Sequence, residues 1–140
     1  MTVIPQAFIP HEESLRFATD CFVALGVSRI DSERSALGLV EADLCGVDTH
    51  GIQRLPVYIG RLEKGLINKA PDIRFDMKTP ICGLTDGDNG LGFVVAQSAM
   101  AKALEISDEF GVAVFGVMNS THFGMARLYI ELAVKHGSVA

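Results

Sequence analysis

The hydrophobic period of this chain changes once, and that change limits the folds open to it. Through residue 64 the apolar residues recur at helical spacing. Leu15, Ala18, Phe22 and Leu25 form one stripe, widened by Phe17 and Cys21 and ended by Gly26. Ala36, Leu39, Val40 and Leu44 form the inner face of a second helix, capped by Asp31 or Ser32 and stopped at Gly46. A third helix over 53–64 places Leu55, Tyr58, Ile59 and Leu62 on one side. It tolerates Pro56 in its first turns and ends before Gly65. From Asp72 the pattern turns to short alternating segments, 73–77 and 80–85, which read as strands, and Asp86-Gly-Asp-Asn-Gly90 reads as a turn. A helix over 91–110 and an apolar run, Val112-Ala-Val-Phe-Gly-Val-Met118, follow. The run predicts a buried strand flanked by helices. A last helix over 125–136 would bury Ala126, Tyr129, Ile130 and Ala133. The fold class is therefore α/β: helices first, then a mixed sheet with flanking helices. The helical segment covers roughly residues 1–70 and the α/β part 71–140.

Composition narrows the partners. A 140-residue chain with 49% hydrophobic residues can build one ordinary core. Twelve basic against seventeen acidic residues, with no basic cluster, argue against nucleic acid. Met1-Thr-Val-Ile-Pro5 lacks the basic start and apolar run of a signal peptide. No later segment is a bilayer-spanning apolar stretch, so a cytoplasmic protein without membrane contact is expected. Cys21, Cys45 and Cys82 are widely spaced and unpaired in pattern, which predicts neither disulfides nor a metal site. Cys21 and Cys45 read as buried thiols and Cys82 as a strand residue.

Two polar clusters interrupt this apolar frame. Asp43-Leu-Cys-Gly-Val-Asp-Thr-His-Gly-Ile-Gln-Arg54 gathers an acid, a hydroxyl, a histidine and an arginine around two glycines. If a helix restarts at Asp48 or Thr49, His50 and Arg54 lie four residues apart on one face. A titrating imidazole and a carboxylate-gripping guanidinium would then suit a small acid. The same residues also serve ordinary helix capping, with Arg54 a solvated charge. The second cluster, Asn119-Ser-Thr-His-Phe-Gly124, follows the apolar strand and precedes a helix, the usual ligand position in α/β proteins. It too can be read as capping, with His122 bonded to a carbonyl. It is not a G-x-G-x-x-G dinucleotide fingerprint. Two histidine-bearing polar loops in one apolar domain favour a functional site over capping twice. His11 and His136 read as surface residues near helix ends.

Asp43-Leu-x-Gly-Val-Asp-Thr-His-Gly-x-x-Arg54, with Asn119-Ser-Thr-His-Phe-Gly124 downstream, resembles the type-2 malate/L-lactate dehydrogenase family. That family includes ureidoglycolate and sulfolactate dehydrogenases and cyclic imino acid reductases, and its fold is not the Rossmann fold. The resemblance runs over essentially the whole chain. It implies hydride transfer between NAD or NADP and the carbon bearing a hydroxyl or imine next to a carboxylate, in a cytoplasmic homodimer. By the same resemblance His50 matches a proton donor or acceptor, Thr49 the hydroxyl beside it, often serine in the family, and Arg54 the substrate-carboxylate residue. His122, Phe123, Gly124, Met125 and Ala126 match a segment near the nicotinamide, and some members give His122 the acid/base role. Family members are longer, so the chain is expected to be an N-terminal portion lacking part of the cofactor site. The competing expectation is a non-catalytic binding or assembly module that keeps the fold.

Overall fold

The computed structural model describes residues 8–140, so Met1–Pro5 lies outside the described residues. Three helices come first: α1 (His11–Ala24), α2 (Arg29–Leu44) and α3 (Leu55–Glu63). Then follow β1 (Arg74–Met77), β2 (Cys82–Gly90), α4 (Gly92–Phe110), β3 (Val114–Ser120) and α5 (Arg127–Lys135). The strand order is β1-β2-β3, with β1 antiparallel and β3 parallel to β2. The mixed α/β architecture agrees with the change of period.

The main core lies where the three N-terminal helices meet the start of α4. Ala18 and Phe22 of α1, Ala36 and Leu39 of α2, and Leu55, Tyr58 and Leu62 of α3 pack with Leu91, Phe93 and Val94. Phe93 is fully buried, and a large apolar side chain so placed contributes about 2–3 kcal/mol relative to exposure. Its ring sits where a Cβ on Gly38 or on Gly124 would be, 2.4 Å away in each case. Phe93 thereby joins α2 to the second polar loop.

Several local expectations are corrected. The N-cap of α2 is Ser28, whose side chain accepts from the Asp31 amide, rather than Asp31 or Ser32. Leu44 and Phe17 are exposed, because the apolar stripes of α2 and α1 extend beyond the faces their neighbours cover. Cys21 and Cys45 are half-buried rather than buried, and all three cysteines are free, with Cys82 opening β2. His11 is exposed as the first residue of α1, and His136 follows α5, its Nε2 2.9 Å from Asp108.

Asp86–Gly90 is not a chain-reversing turn but the end of β2. The β2–β3 ladder passes from Asp86 to Gly90 on β2 while β3 advances only from Met118 to Ser120. The surplus residues bulge, with Asp88 and Asn89 left-handed at φ 46° and 56°. The turn-type composition thus correctly signals turn-type backbone but not a reversal. Asp86 Oδ1 accepts from the Asp88 amide and the Asn119 side chain, which holds its carboxyl below the usual range.

The buried-strand expectation for residues 112–118 fails in burial, not in type. β3 lies at the sheet edge, with Val114, Val117 and Met118 exposed. In α5, Tyr129 and Ala133 are buried as expected, but the helix begins at Arg127. Ala126 and Ile130 are exposed, and Leu128 packs on the core instead. Among the described residues no helix is long and apolar enough to cross a membrane.

Candidate functional site

The first polar loop is not a helix carrying His50 and Arg54 on one face. It is two short 3-10 turns, Asp48–His50 and Ile52–Arg54, separated at Gly51, where the backbone is extended. The cause is Asp43. Its Oδ2 accepts from the Ile52 amide at 2.8 Å, the amide that an α-helix would turn toward the Asp48 carbonyl. A Cβ on Gly51 would lie 1.6 Å from Asp43 Oδ1, so glycine lets the carboxylate close in. The Asp48 carbonyl is taken instead by the Gly51 amide and the Gln53 side chain.

This geometry still aims the expected side chains. Thr49 Oγ1 lies 3.0 Å from His50 Nδ1, and Arg54 Nε donates to the Thr49 carbonyl at 2.9 Å. With Nε committed to the backbone, the guanidinium keeps its paired outer nitrogens for an incoming group, and neither has a partner among the described residues.

The second loop begins at the carboxyl end of β3, beside the end of its parallel neighbour β2. Thr121 Oγ1 donates to the Gly90 carbonyl and accepts from the Gly92 amide, at 3.1 and 2.9 Å, tying the loop to the start of α4. The Thr121 and His122 carbonyls stand 2.4 and 2.3 Å from where a Cβ on Gly92 would be. Gly124 turns the chain at φ 76° against Phe93. Phe123 is exposed, its carbonyl accepting from the Tyr129 hydroxyl; Met125 is half-buried and Ala126 exposed.

The two loops converge. The His50 and His122 rings lie with centroids 5.3 Å apart and planes tilted by 35°. Tyr58 places its hydroxyl 2.8 Å from Nδ1 of His122. His122 is exposed as a residue, yet partial desolvation of its ring beside Tyr58 is the first cause that lowers its pKa from the ordinary 6.5, followed by the charge of Arg54 and by His50. Burial pushes Tyr58 up to about 12, against the pull of Arg54 and Arg61. His50, Thr49, Arg54 and His122 are thus gathered at one place, and Phe123, Gly124, Met125 and Ala126 run on from it.

Sequence reasoning missed three contributors. Tyr58 was assigned only to the core, though it stands one helical turn after Arg54 and that spacing was a usable signal. Asp43 and Thr121 lay inside the motifs but had no predicted partner, since Ile52, Gly90 and Gly92 reach them only on folding. An apolar groove lies between α4, β3 and α5, which Thr121 and Phe123 line together with Met100, Val114 and Val117. The titratable pair is not among its lining residues. Among the described residues no cluster of three or more His, Cys, Asp or Glu side chains could hold a metal ion.

Residues 9–140 match the family model described as malate/L-lactate dehydrogenase. The chain belongs to the malate/L-lactate dehydrogenase family. Over 128 residues it is 38% identical to the L-sulfolactate dehydrogenase of Methanocaldococcus jannaschii, covering 91% of this chain and 37% of that protein. It is 36% identical over 131 residues to the malate dehydrogenase of Pyrococcus abyssi, covering 94% and 36%. The solved structure of malate dehydrogenase from Pyrococcus horikoshii OT3 superposes with a TM-score of 0.91 at 35% identity, over 94% of this chain and 38% of that one. The chain therefore spans little more than a third of the length of these family members.

Proposed function

We propose that this chain carries the substrate-facing part of an NAD- or NADP-dependent oxidoreductase acting on a small 2-hydroxy or 2-oxo acid. The observation that carries the reading is the pair of imidazoles 5.3 Å apart, with the Arg54 charge close enough to lower His122. An imidazole in such a site can exchange a proton with a substrate hydroxyl. The outer nitrogens of Arg54 suit the two oxygens of a carboxylate.

In oxidation, Arg54 holds the substrate carboxylate and a neutral histidine takes the hydroxyl proton. A bound oxidised nicotinamide would supply the hydride acceptor for the carbon whose hydroxyl the histidine deprotonates. In reduction the same histidine, protonated, returns the proton. Thr49 orients His50 through Nδ1. The segment from His122 through Phe123, Gly124, Met125 and Ala126 fits a flat ring, since Phe123 offers a 45% exposed aromatic side chain beside the histidine. On this reading residues 1–70 form the helical substrate-facing segment and 71–140 open the cofactor-binding part. The whole protein would be a cytoplasmic homodimer.

The test is a steady-state assay, on the whole polypeptide containing this chain, that follows NADH and NADPH absorbance with malate, lactate, sulfolactate and ureidoglycolate. Turnover with at least one is expected, and none with any of them in either direction overturns the reading. His50→Ala should lower kcat by roughly 10²–10⁴-fold. Arg54→Ala should chiefly raise KM.

A second reading, a non-catalytic binding or assembly module, draws on the exposed apolar side chains Val114, Val117, Met118 and Val134. A monodisperse monomer by light scattering, with no thermal shift on adding nicotinamide nucleotide, would favour it.

A further inference from the structure

The hydroxyl of Tyr58 has no part in the reaction just described, yet it is the only polar atom of a ring otherwise given over to the core. Tyr58 is 4% exposed, and its ring packs against Phe22 and Phe93 with centroids 6.3 and 5.5 Å away. Phenylalanine would fill that space equally well. The hydroxyl instead reaches Nδ1 of His122 at 2.8 Å. A second donor meets the same nitrogen, the Gly124 amide at 3.3 Å.

A backbone amide can only donate, so Nδ1 must present its lone pair to it, and in a neutral imidazole the proton then sits on Nε2. Because a bare Nδ1 has no proton to give, the Tyr58 hydroxyl, which burial keeps protonated by pushing it up to about 12, donates to the same lone pair. His50 is arranged differently. Its Nδ1 faces Thr49 Oγ1, and its Nε2 has no partner among the described residues. The charged and titratable groups bearing on His122 are Arg54 and His50, from the first loop, and both disfavour its protonated form.

We infer that Tyr58 is a positioning residue which, with the Gly124 amide, locks His122 in the Nε2–H tautomer, so that His122 meets the substrate oxygen as a hydrogen-bond donor and leaves proton acceptance to His50. The assignment rests on the oxidoreductase reading for its chemical meaning, but its geometry stands apart from it. In oxidation the substrate O–H bond breaks toward Nε2 of His50, while Nε2–H of His122 stabilises the oxygen as negative charge develops there. In reduction His50 gives that proton back.

The test reads the tautomer directly. Long-range ¹H–¹⁵N correlation spectra of the histidine-labelled whole polypeptide containing this chain, with His122 assigned by loss of its signals in His122→Gln, report which ring nitrogen is protonated. Above its titration midpoint His122 should show a protonated Nε2 and a bare Nδ1. In Tyr58→Phe the Nδ1–H form should become populated, and the midpoint should rise by roughly 0.7 pH unit, the equivalent of one ordinary hydrogen bond. A protonated Nδ1 in the unaltered chain overturns the inference, and that measurement decides even if the variant does not fold. Identical tautomers and midpoints in the two proteins also overturn it and leave Tyr58 a purely packing residue. Because the readout needs no turnover, its failure is distinguishable from failure of the activity assay.

Discussion

The loop between α2 and α3 and the loop between β3 and α5 each supply one histidine of the pair, and they are held by different means. In the first, the ties are short in sequence: Asp43 to Ile52 spans nine residues, and Arg54 to Thr49 and Gln53 to Asp48 span five each. In the second, short bonds join Phe123 to Tyr129 and His122 to Gly124, but the ties to the rest of the fold are long. Thr121 bonds Gly90 and Gly92 across 31 and 29 residues, and His122 meets Tyr58 across 64. A loop closed on itself loses little chain entropy beyond what its neighbouring helices have already fixed, whereas one tied across the fold forms only with the fold. The first loop is accordingly held mainly by local bonds, and the second reports on the packing of α3 and α4.

The largest expected break in that contrast comes from Gly92→Ala. The new Cβ would meet two backbone carbonyls of the second loop and no flexible side chain. A loss of roughly 2–3 kcal/mol is expected in chemical denaturation at unchanged m-value. The His122 and Tyr58 resonances should shift while those of Asp48 and Gln53 stay in place. Asp43→Ala makes the opposite cut. It removes the acceptor of the Ile52 amide and should cost about 1.5 kcal/mol. Hydrogen exchange should quicken at Ile52 and remain slow at Gly92. If both loops loosen together in either variant, the division between local and long-range support is wrong.

The smallest effect is electrostatic. His122 is lowered in the folded chain, so below 6.5 the unfolded chain binds the proton more readily. The contribution of His122 to stability is therefore complete above 6.5 and is lost as pH falls through its folded value. His122→Gln should flatten the stability profile on that acid side alone. An unchanged slope below pH 6.5 would mean that the ring is not desolvated as described.

How much could be read in advance follows the same division. The spacing of Ala18, Phe22, Ala36, Leu39 and Leu62 named core residues correctly, because a helix buries what its own period aligns. Both histidine loops were visible as polar interruptions, and the residues in them do come together. The helical face proposed for His50 and Arg54 was wrong because a side chain outside the presumed helix, Asp43, captured a ladder amide. Asp86–Gly90 reads as a turn in sequence yet is a bulge within β2, because composition reports left-handed backbone and not the direction the chain takes afterward. The apolar run of β3 stated what could be buried, not which neighbour would cover it.

Periodicity and residue chemistry alone thus established an α-then-α/β chain carrying two histidine loops, since both depend on contacts within a few residues. That the His50 and His122 rings meet, that Arg54 acts on both His122 and Tyr58, and that Tyr58 turns its hydroxyl onto a ring 64 residues away were set by packing. Such pairings depend on where Phe93 wedges α2 against the second loop, and a long-range contact of that kind leaves no period in the sequence.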